Sequence, residues 1–346
     1  MRLRFPWIGW VVGLTALFRV HAWDYELHRF VNELALRSLP ASFPEFVRTP
    51  EAAERIAFLS GEPDRWRNSN EGAFRHVNEP DHFFDIEDLE PVGLTLDALP
   101  GFRDEFLAQF ATARAKDPSR FPPIASPSDP VRVRWMPGFL PWKLAEEYGR
   151  LKSGFSTLRA FEQHGGTPSE VDNARQNIVS VMGTLGHYAG DAAQPLHTTR
   201  HYNGWVGANP AGYTTNRTFH SWIDGGFMRN AGFDRQALLA RVRPARSLFG
   251  GGTNAVSSSA FPVALGFIRE QFQLVVPLYE AEKAGHLKAD GPQAAEGRRM
   301  LEEQLLKSGQ FLGDLWLSAW VLAPKDTYLQ SALARRSLDT NAPVRK

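Results

Sequence analysis

Two pairs of histidine and aspartate are the residues of this chain best suited to bind a metal ion. His187 and Asp191 form one pair and His220 and Asp224 the other, each with a spacing of four residues. On a helix this spacing places both side chains one turn apart on the same face, where they can bind one cation or two adjacent ones. A single pair of this kind is common by chance, but two independent copies favour a metal site.

A proline shortly after the first pair adds another candidate ligand. Pro195 has no backbone N–H, so we expect the helix of His187 and Asp191 to end before it and His197 to approach from a loop. At about 100° per residue, the face of this pair points away from the apolar stripe of the same helix. That stripe consists of Ile178, Val181, Met182 and Leu185. The pair therefore faces something other than the ordinary core.

Three other segments carry imidazole or carboxylate groups in similar contexts. Each residue alone is more simply explained as a buried core histidine or a helix-capping aspartate. Together they favour a metal site, because all of them stand at a helix turn or a helix end. The full set of candidate side chains is His28, Asp64, His82, His187, Asp191, His197, His220 and Asp224.

Composition narrows the chemistry of such a site. The 346 residues include no cysteine, which excludes disulfides, thiolate zinc sites, iron–sulfur clusters and cysteine nucleophiles. Ligands limited to nitrogen and oxygen, with histidine in the majority, favour zinc over magnesium or calcium and leave manganese and iron open. The 39 basic residues nearly balance the 38 acidic ones, so the chain is not a protein that binds nucleic acid mainly through surface charge.

The first 22 residues have the pattern of an export signal. Two arginines precede the apolar run Phe5–Phe18, and small residues precede a cleavage site after Ala22. An uncleaved membrane anchor is the alternative, but the run is shorter than the roughly 20 residues that a span needs. Cleavage would make Trp23 the first residue of a secreted or periplasmic protein without a membrane span. Because three arginines leave with the signal, 36 basic and 38 acidic residues would remain, and the mature chain would be mildly acidic.

The elements that must position these side chains are predicted to be helices. Apolar residues recur at helical spacing in several segments, and we find no convincing alternation of β-branched residues. The hydrophobic content of 43% indicates a sizeable core, and no linker-like shift in composition divides the chain. We therefore predict one all-α domain over residues 23–330, followed by a polar, basic tail over residues 331–346.

The motifs, in this order, resemble the secreted zinc-dependent single-strand nucleases of fungi and plants (the family of nucleases S-one and P-one). That family shares its helical fold and a three-zinc site with bacterial phospholipase C. The resemblance extends from Trp23 to about Ala323. It is carried by the mature N-terminal tryptophan, by His-x3-Asp-x5-His with Gln-Pro-Leu-His over 187–197, and by the second His-x3-Asp. It implies a phospholipase C/nuclease-type domain with a trinuclear zinc cleft.

Carried over residue by residue, the resemblance implies three zinc ions per chain. The ligands implied for the first ion are Asp64, His82, His187 and Asp191, and those for the second are His197, His220 and Asp224. The third ion would be bound by His28, by Asp191 as a bridging ligand and by the main chain of Trp23. In the family this tryptophan binds zinc through its α-amino nitrogen and carbonyl oxygen. Removal of the signal would therefore activate the enzyme.

The resemblance also implies the reaction and its other residues. Arg67, with Asp64 and Asp191, would belong to the catalytic group, while Phe83 would stack on a nucleobase and Asp85 would bind the edge of that base. Adjacent metals lower the pKa of a bridging water, and a further metal stabilises the leaving 3′-oxygen. The implied activity is endonucleolytic hydrolysis of single-stranded DNA and RNA to 5′-phosphate products, with 3′-nucleotidase activity open. No stable protein partner is implied.

Two alternatives stay open at this point. A phospholipase C would use the same three-zinc chemistry at a membrane surface, but Asp224 stands where phospholipases generally carry glutamate, and Arg67 matches the nucleases. The loop aromatics Tyr202, Trp205 and Tyr213 suit a base or a lipid equally. A non-catalytic zinc-binding helical protein would instead have filled coordination shells. The chain also departs from the fungal nucleases, since it lacks their disulfides and the Gly-Gly-Asn element after Gln-Pro-Leu-His.

Overall fold

The computed structural model describes residues 23–127, 129–249 and 259–340, with side chains up to Arg336. This part of the chain is mostly helical and contains no β-strand, which confirms the all-α class. Two isolated β-bridges, Phe84 with Gly138 and Ser126 with Asp129, are its extended pairings. The predicted export signal at residues 1–22 and the last six residues of the predicted tail lie outside the described residues.

The helices differ widely in length, and the longest form the body of the domain. In chain order they are α1 (Tyr25–Ser38), α2 (Pro50–Leu59), α3 (Glu62–Arg67), α4 (Gly72–Asn78), α5 (Arg103–Lys116), α6 (Leu140–His164), α7 (Pro168–Ala193), α8 (Phe219–Ser221), α9 (Phe227–Ala231), α10 (Arg235–Ala240), α11 (Ala260–Phe272), α12 (Val275–Lys283), α13 (Ala294–Val321) and α14 (Thr327–Thr340). Short 3₁₀ turns at Glu79–His82 and Pro195–Thr198 and a π-helical turn at Trp222–Gly226 carry site residues. None of the helices in the described residues is long and apolar enough to cross a membrane.

Helix α7 is the central element, and its sequence explains both of its ends. It begins with a capping box in which Thr167 and Glu170 bond to each other's backbone N–H, and Pro168 takes the first helical position. It ends at Ala193, two residues before Pro195. From Met182 to Ala193 it is buried on every side, because α1, α2, α6, α11 and α13 pack around it.

Two glycines let α1 lie directly against α7. A Cβ on Gly186 would overlap the side chain of Asn32, and a Cβ on Gly190 would lie 2.6 Å from Nδ1 of His28. A side chain at either position would push the helices apart, since protein interiors have few voids. The close approach places His28 of α1 beside the end of α7 that carries Asp191.

The end of the described chain continues the helical body. Helix α14 packs against α6, buries Leu333, and pairs Arg336 with Glu170 at 2.8 Å. It begins before residue 330 and continues to Thr340, so the boundary drawn between residues 330 and 331 falls inside a helix. Residues 331–340, which form the first part of the predicted polar, basic tail, belong to the helix that begins at Thr327.

Candidate metal centre

Six separate elements bring together all eight side chains that the sequence singled out as metal ligands. Helices α1 and α3 provide His28 and Asp64, and the turn before Phe83 provides His82. The others come from α7, from the 3₁₀ turn that starts at Pro195, and from α8 with its π-helical continuation. All eight are buried, with Asp64 the most exposed at 7%.

The eight side chains form three groups, and within each group the ligand atoms lie within 4.8 Å of one another. The groups are His28, His187 and Asp191; Asp64, His82 and His187; and His197, His220 and Asp224. The last group has the same members as one of the implied zinc sites. In the other two, His187 is shared. These buried groups can hold metal ions, while the identity and number of the ions remain predictions.

Asp191 lies at the middle of the cluster, and its two oxygens face different histidines. Its Oδ1 is 3.5 Å from Nε2 of His28 and 3.7 Å from Nδ1 of His197. Its Oδ2 is 2.9 Å from Nδ1 of His82 and 3.2 Å from Nε2 of His187. One carboxylate thus contacts four imidazoles, which suits a bridging ligand.

Main-chain carbonyls orient two of the imidazoles. Nδ1 of His187 donates to the carbonyl of Ser60 at 2.7 Å, and Nδ1 of His197 donates to the carbonyl of His82 at 2.6 Å. In its neutral form each of these rings keeps its lone pair on Nε2, because a neutral imidazole carries one N–H. Such support from a carbonyl is the usual arrangement of histidines that bind metals.

A glutamine orients the carboxylate of the second pair. Gln194 donates from Nε2 to Oδ1 of Asp224 at 2.6 Å, and Oδ2 of Asp224 lies 3.3 Å from Nε2 of His220. Asp224 itself lies in the π-helical turn, a feature often found at functional sites. Its backbone carbonyl accepts a hydrogen bond of 2.8 Å from the N–H of Asp24.

That backbone bond places the predicted mature N-terminus at the cluster. Trp23 is fully buried, and its indole Cδ1 lies 3.6 Å from where a Cβ on Gly190 would be. Asp24 caps α1 by accepting the N–H of Leu27 at 3.1 Å. Trp23 therefore lies between the end of α7 and the segment of Asp224.

The unpaired polar atoms of the cluster test whether these residues fit a metal. Apart from Oδ1 of Asp64, which pairs with Arg67, eight buried nitrogens and oxygens of the ligand set make no hydrogen bond with described residues. They are both ring nitrogens of His28 and of His220, Nε2 of His82 and of His197, Oδ1 of Asp191 and Oδ2 of Asp224. Each buried polar atom left unsatisfied costs about 1–3 kcal/mol. Bound cations would satisfy the two carboxylate oxygens and one nitrogen of each of these rings, so the donor set fits metal ions that prefer nitrogen and oxygen.

The protonation states of three of the ligands also favour a cation. Burial, with repulsion from His187, lowers the pKa of His28 to about 4, and burial with repulsion from Arg67 lowers the pKa of His82 to about 3. Burial alone would raise the pKa of Asp191, but His187 and His197 hold it well below its ordinary value. At neutral pH these imidazoles are neutral and this carboxylate is ionised, which are the states that bind metal.

The cluster opens into a cleft of about 990 Å³ through His197 and His220. Arg67 lines the cleft, and its Nε lies 2.7 Å from Oδ1 of Asp64. An arginine three residues after an aspartate commonly forms an ordinary surface ion pair. The ion pair exists, but the side chain is only 11% exposed and its partner is a candidate ligand.

Phe83 and Asp85, the implied base-binding residues, line the same cleft. Burial, together with Asp88 and Glu87, raises the pKa of the Asp85 carboxyl well above its ordinary value, and its Oδ1 has no hydrogen-bond partner among the described residues. A neutral carboxyl both donates and accepts, as recognition of a base edge requires.

Some residues that shape the site had no role assigned to them from the sequence. Gln194 is visible as part of Gln-Pro-Leu-His, but its contact with Asp224 arises from folding. Of the three loop aromatics, Tyr202 lines the cleft. Trp205 instead stacks on His201 at a centroid distance of 4.0 Å and packs with Tyr213 and Tyr279, because these rings form their own buried cluster.

Comparison with known proteins adds no relative to this description. No protein-family model matches the chain, and no curated protein matches its sequence. The nuclease resemblance therefore rests on the motifs and remains a prediction about this chain.

Proposed function

We propose that this protein is an exported zinc-dependent endonuclease that hydrolyses phosphodiester bonds of single-stranded DNA and RNA and leaves 5′-phosphates. The observation that carries the proposal is a buried cluster of five histidines and three aspartates. It opens through His197 and His220 into a cleft that Arg67 also lines. A ligand set open to a substrate-sized cleft is the arrangement of a catalytic metal site rather than a closed structural one.

Each part of the cluster has a role in this proposal. The three groups would hold zinc, with Asp191 as the bridge and Trp23 completing one site through its main chain. When bound, zinc supplies a nucleophile from water at neutral pH and positive charge opposite the phosphate. Arg67, held by Asp64, adds a guanidinium that can bind two phosphate oxygens and stabilise charge that develops during cleavage.

The rest of the cleft favours a nucleic acid over a phospholipid. Five arginines and three carboxylates line it, which concentrates positive charge in a chain whose mature form is mildly acidic. Phe83 and Tyr202 offer aromatic faces, and Asp85 offers a hydrogen-bonding group for a base edge. A base must leave its stack to reach such a pocket, so single strands should be preferred over duplexes.

The proposal is tested by comparing two purified forms of the protein, one that starts at Trp23 and one that retains Ala22. We expect about three zinc ions and cleavage of single-stranded DNA and RNA in the Trp23 form, with less zinc and little cleavage in the other. Duplex DNA and phosphatidylcholine vesicles serve as competing substrates.

Three outcomes would overturn the proposal. Hydrolysis of phosphatidylcholine alone would identify a phospholipase C. Bound zinc without any hydrolysis would identify a structural zinc protein. Full activity after removal of zinc by a chelator would exclude the metal as the source of the activity.

A further inference from the structure

The cleft continues beyond the metal centre to a second wall. Helix α5 and the connector between α5 and α6 form this wall, which carries the apolar residues Phe110, Phe121, Val133, Trp135 and Met136. The whole cleft of about 990 Å³ is at the top of the range of about 300–1,000 Å³ for small-molecule sites. It therefore has room for more than the nucleotide expected at Phe83.

Internal contacts hold the part of the connector that faces the cleft. Buried Asp129 accepts the backbone N–H of Arg134 at 2.8 Å. Arg132 has a φ of 58°, a conformation uncommon for a residue other than glycine. Its carbonyl accepts the indole N–H of Trp135 at 2.8 Å. Backbone strain that surrounding contacts maintain is often found at binding sites.

The side chains on this segment suit a nucleotide. Trp135 is half-buried and lines the cleft, with the guanidinium of Arg114 5.5 Å from its ring centroid. Arg134 is exposed and makes no ion pair with a described residue, whereas Arg75 and Arg120 in the same cleft pair with carboxylates at 2.6 and 2.8 Å. Trp135 thus offers a ring for stacking and Arg134 a charge for a phosphate.

The backbone places this wall close to the expected base pocket. Gly138 pairs with Phe84 in an isolated bridge, and the carbonyl of Pro137 accepts the N–H of Asp85 at 2.7 Å. Trp135 precedes Gly138 by three residues, which span at most about 11 Å. That distance corresponds to about three stacked nucleotides at roughly 3.4 Å each. A near neighbour of the nucleotide at Phe83 can therefore reach Trp135.

We infer that Trp135 and Arg134 form a second nucleotide subsite, in which a neighbouring base of a single strand stacks on Trp135 while a phosphate binds Arg134. The inference rests on the proposed function, because it takes a single-stranded polynucleotide as the substrate. It goes further by assigning residues outside the metal centre that make the enzyme favour longer strands.

Binding tests the subsite without turnover. Zinc-loaded mature protein is titrated against a fluorescein-labelled phosphorothioate hexathymidylate, which resists cleavage, and anisotropy gives Kd. We expect Trp135→Ala to weaken binding about tenfold, within the effect known for base–aromatic stacking, and Trp135→Phe to restore most of it. Tyr328→Ala, which removes an aromatic ring that is 82% exposed on α14, is the matched control and should bind like the wild type.

The arginine has its own control, an exposed arginine away from the cleft. Arg134→Ala should weaken binding and reduce the salt slope by about one, because one phosphate contact is lost. Arg37→Ala removes an exposed guanidinium on α1 that does not line the cleft and should leave the slope unchanged.

Kinetics separates failure of the subsite from failure of the proposed function. On hexathymidylate, Trp135→Ala should lower kcat/KM about tenfold, because KM rises while kcat is unchanged. Thymidine 3′-(methyl phosphate) has only one base, so Trp135→Ala should cleave it with the same kcat/KM as the wild type. Equal losses on both substrates, or unchanged Kd in both Trp135→Ala and Arg134→Ala, would overturn the subsite. Binding that depends on Trp135 without cleavage of either substrate would leave the subsite standing and overturn the proposed function.

Discussion

Replacing Asp191 by asparagine is the sharpest test of the metal centre. Its Oδ1 lies 3.5 and 3.7 Å from His28 and His197, and its Oδ2 lies 2.9 and 3.2 Å from His82 and His187. Asparagine keeps the size and one oxygen but replaces the other oxygen with an amide nitrogen that cannot bind a metal. The substitution also removes a negative charge that lies beside histidines of all three groups.

The expected magnitude follows from that sharing. Loss of a residue that only supports a ligand costs about 10–100-fold in metal affinity. Asp191 belongs to one group, and its Oδ2 contacts His82 of the other group that contains His187. We therefore expect at least this loss in each of the two groups and about 10²–10⁴-fold overall. Asp224, by contrast, pairs with His220 of its own group. Asp224→Asn should therefore remove one zinc and leave the ions around Asp191 in place.

The assay is zinc competition with a chromogenic chelator, together with bound zinc per chain and hydrolysis of single-stranded DNA. His164→Ala and His286→Ala are the matched controls, since His164 is exposed at the end of α6 and His286 pairs with Glu296 away from the cluster. Both should be nearly silent. If Asp191→Asn keeps the zinc and activity of His286→Ala, the assignment of Asp191 as the shared ligand is wrong.

Three further predictions follow from the contacts around the cluster. Gln194→Ala removes the hydrogen-bond donor that holds Asp224, and the same competition assay should show zinc binding weakened about 10–100-fold. An unchanged zinc affinity would mean that this hydrogen bond does not orient Asp224. Gly190→Ala brings a Cβ within 2.6 Å of His28 and should lower the free energy of unfolding, measured in urea, by about 1–3 kcal/mol. The control Gly149→Ala, in open space on α6, should raise the free energy of unfolding by about 0.5–1 kcal/mol. Similar shifts in both variants would contradict close packing at Gly190. In chelated protein, the pKa of His28 is about 4 in the folded state against an ordinary 6.5, so the unfolded state binds the proton more tightly. The contribution of this group to the free energy of unfolding is therefore full above pH 6.5 and falls by about 3 kcal/mol down to pH 4. In His28→Gln the free energy of unfolding should fall less steeply with pH, and equal slopes in both proteins would count against a buried neutral imidazole.

Local rules account for the parts of the site that the sequence predicted well. The spacing of four within each histidine–aspartate pair depends only on helix geometry, and Pro195 ends α7 through the chemistry of its own ring. The all-α class follows in the same way, from apolar periodicity within single segments. Composition described the tail as polar and basic without assigning it a secondary structure, and the structure shows that α14 continues through residue 340.

What the sequence by itself determined is therefore which side chains can bind metal and which helices carry some of them. Only the tertiary structure decided that His28, His82 and His197, from three distant segments, meet the two oxygens of Asp191. It also decided that Trp135 joins the cleft and Trp205 does not. These outcomes depend on contacts between residues far apart in the chain. The contacts form when α1 packs against α7 and when the connecting segments fold over the cleft. No local pattern encodes such distances, because each arises from burial of the whole core at once.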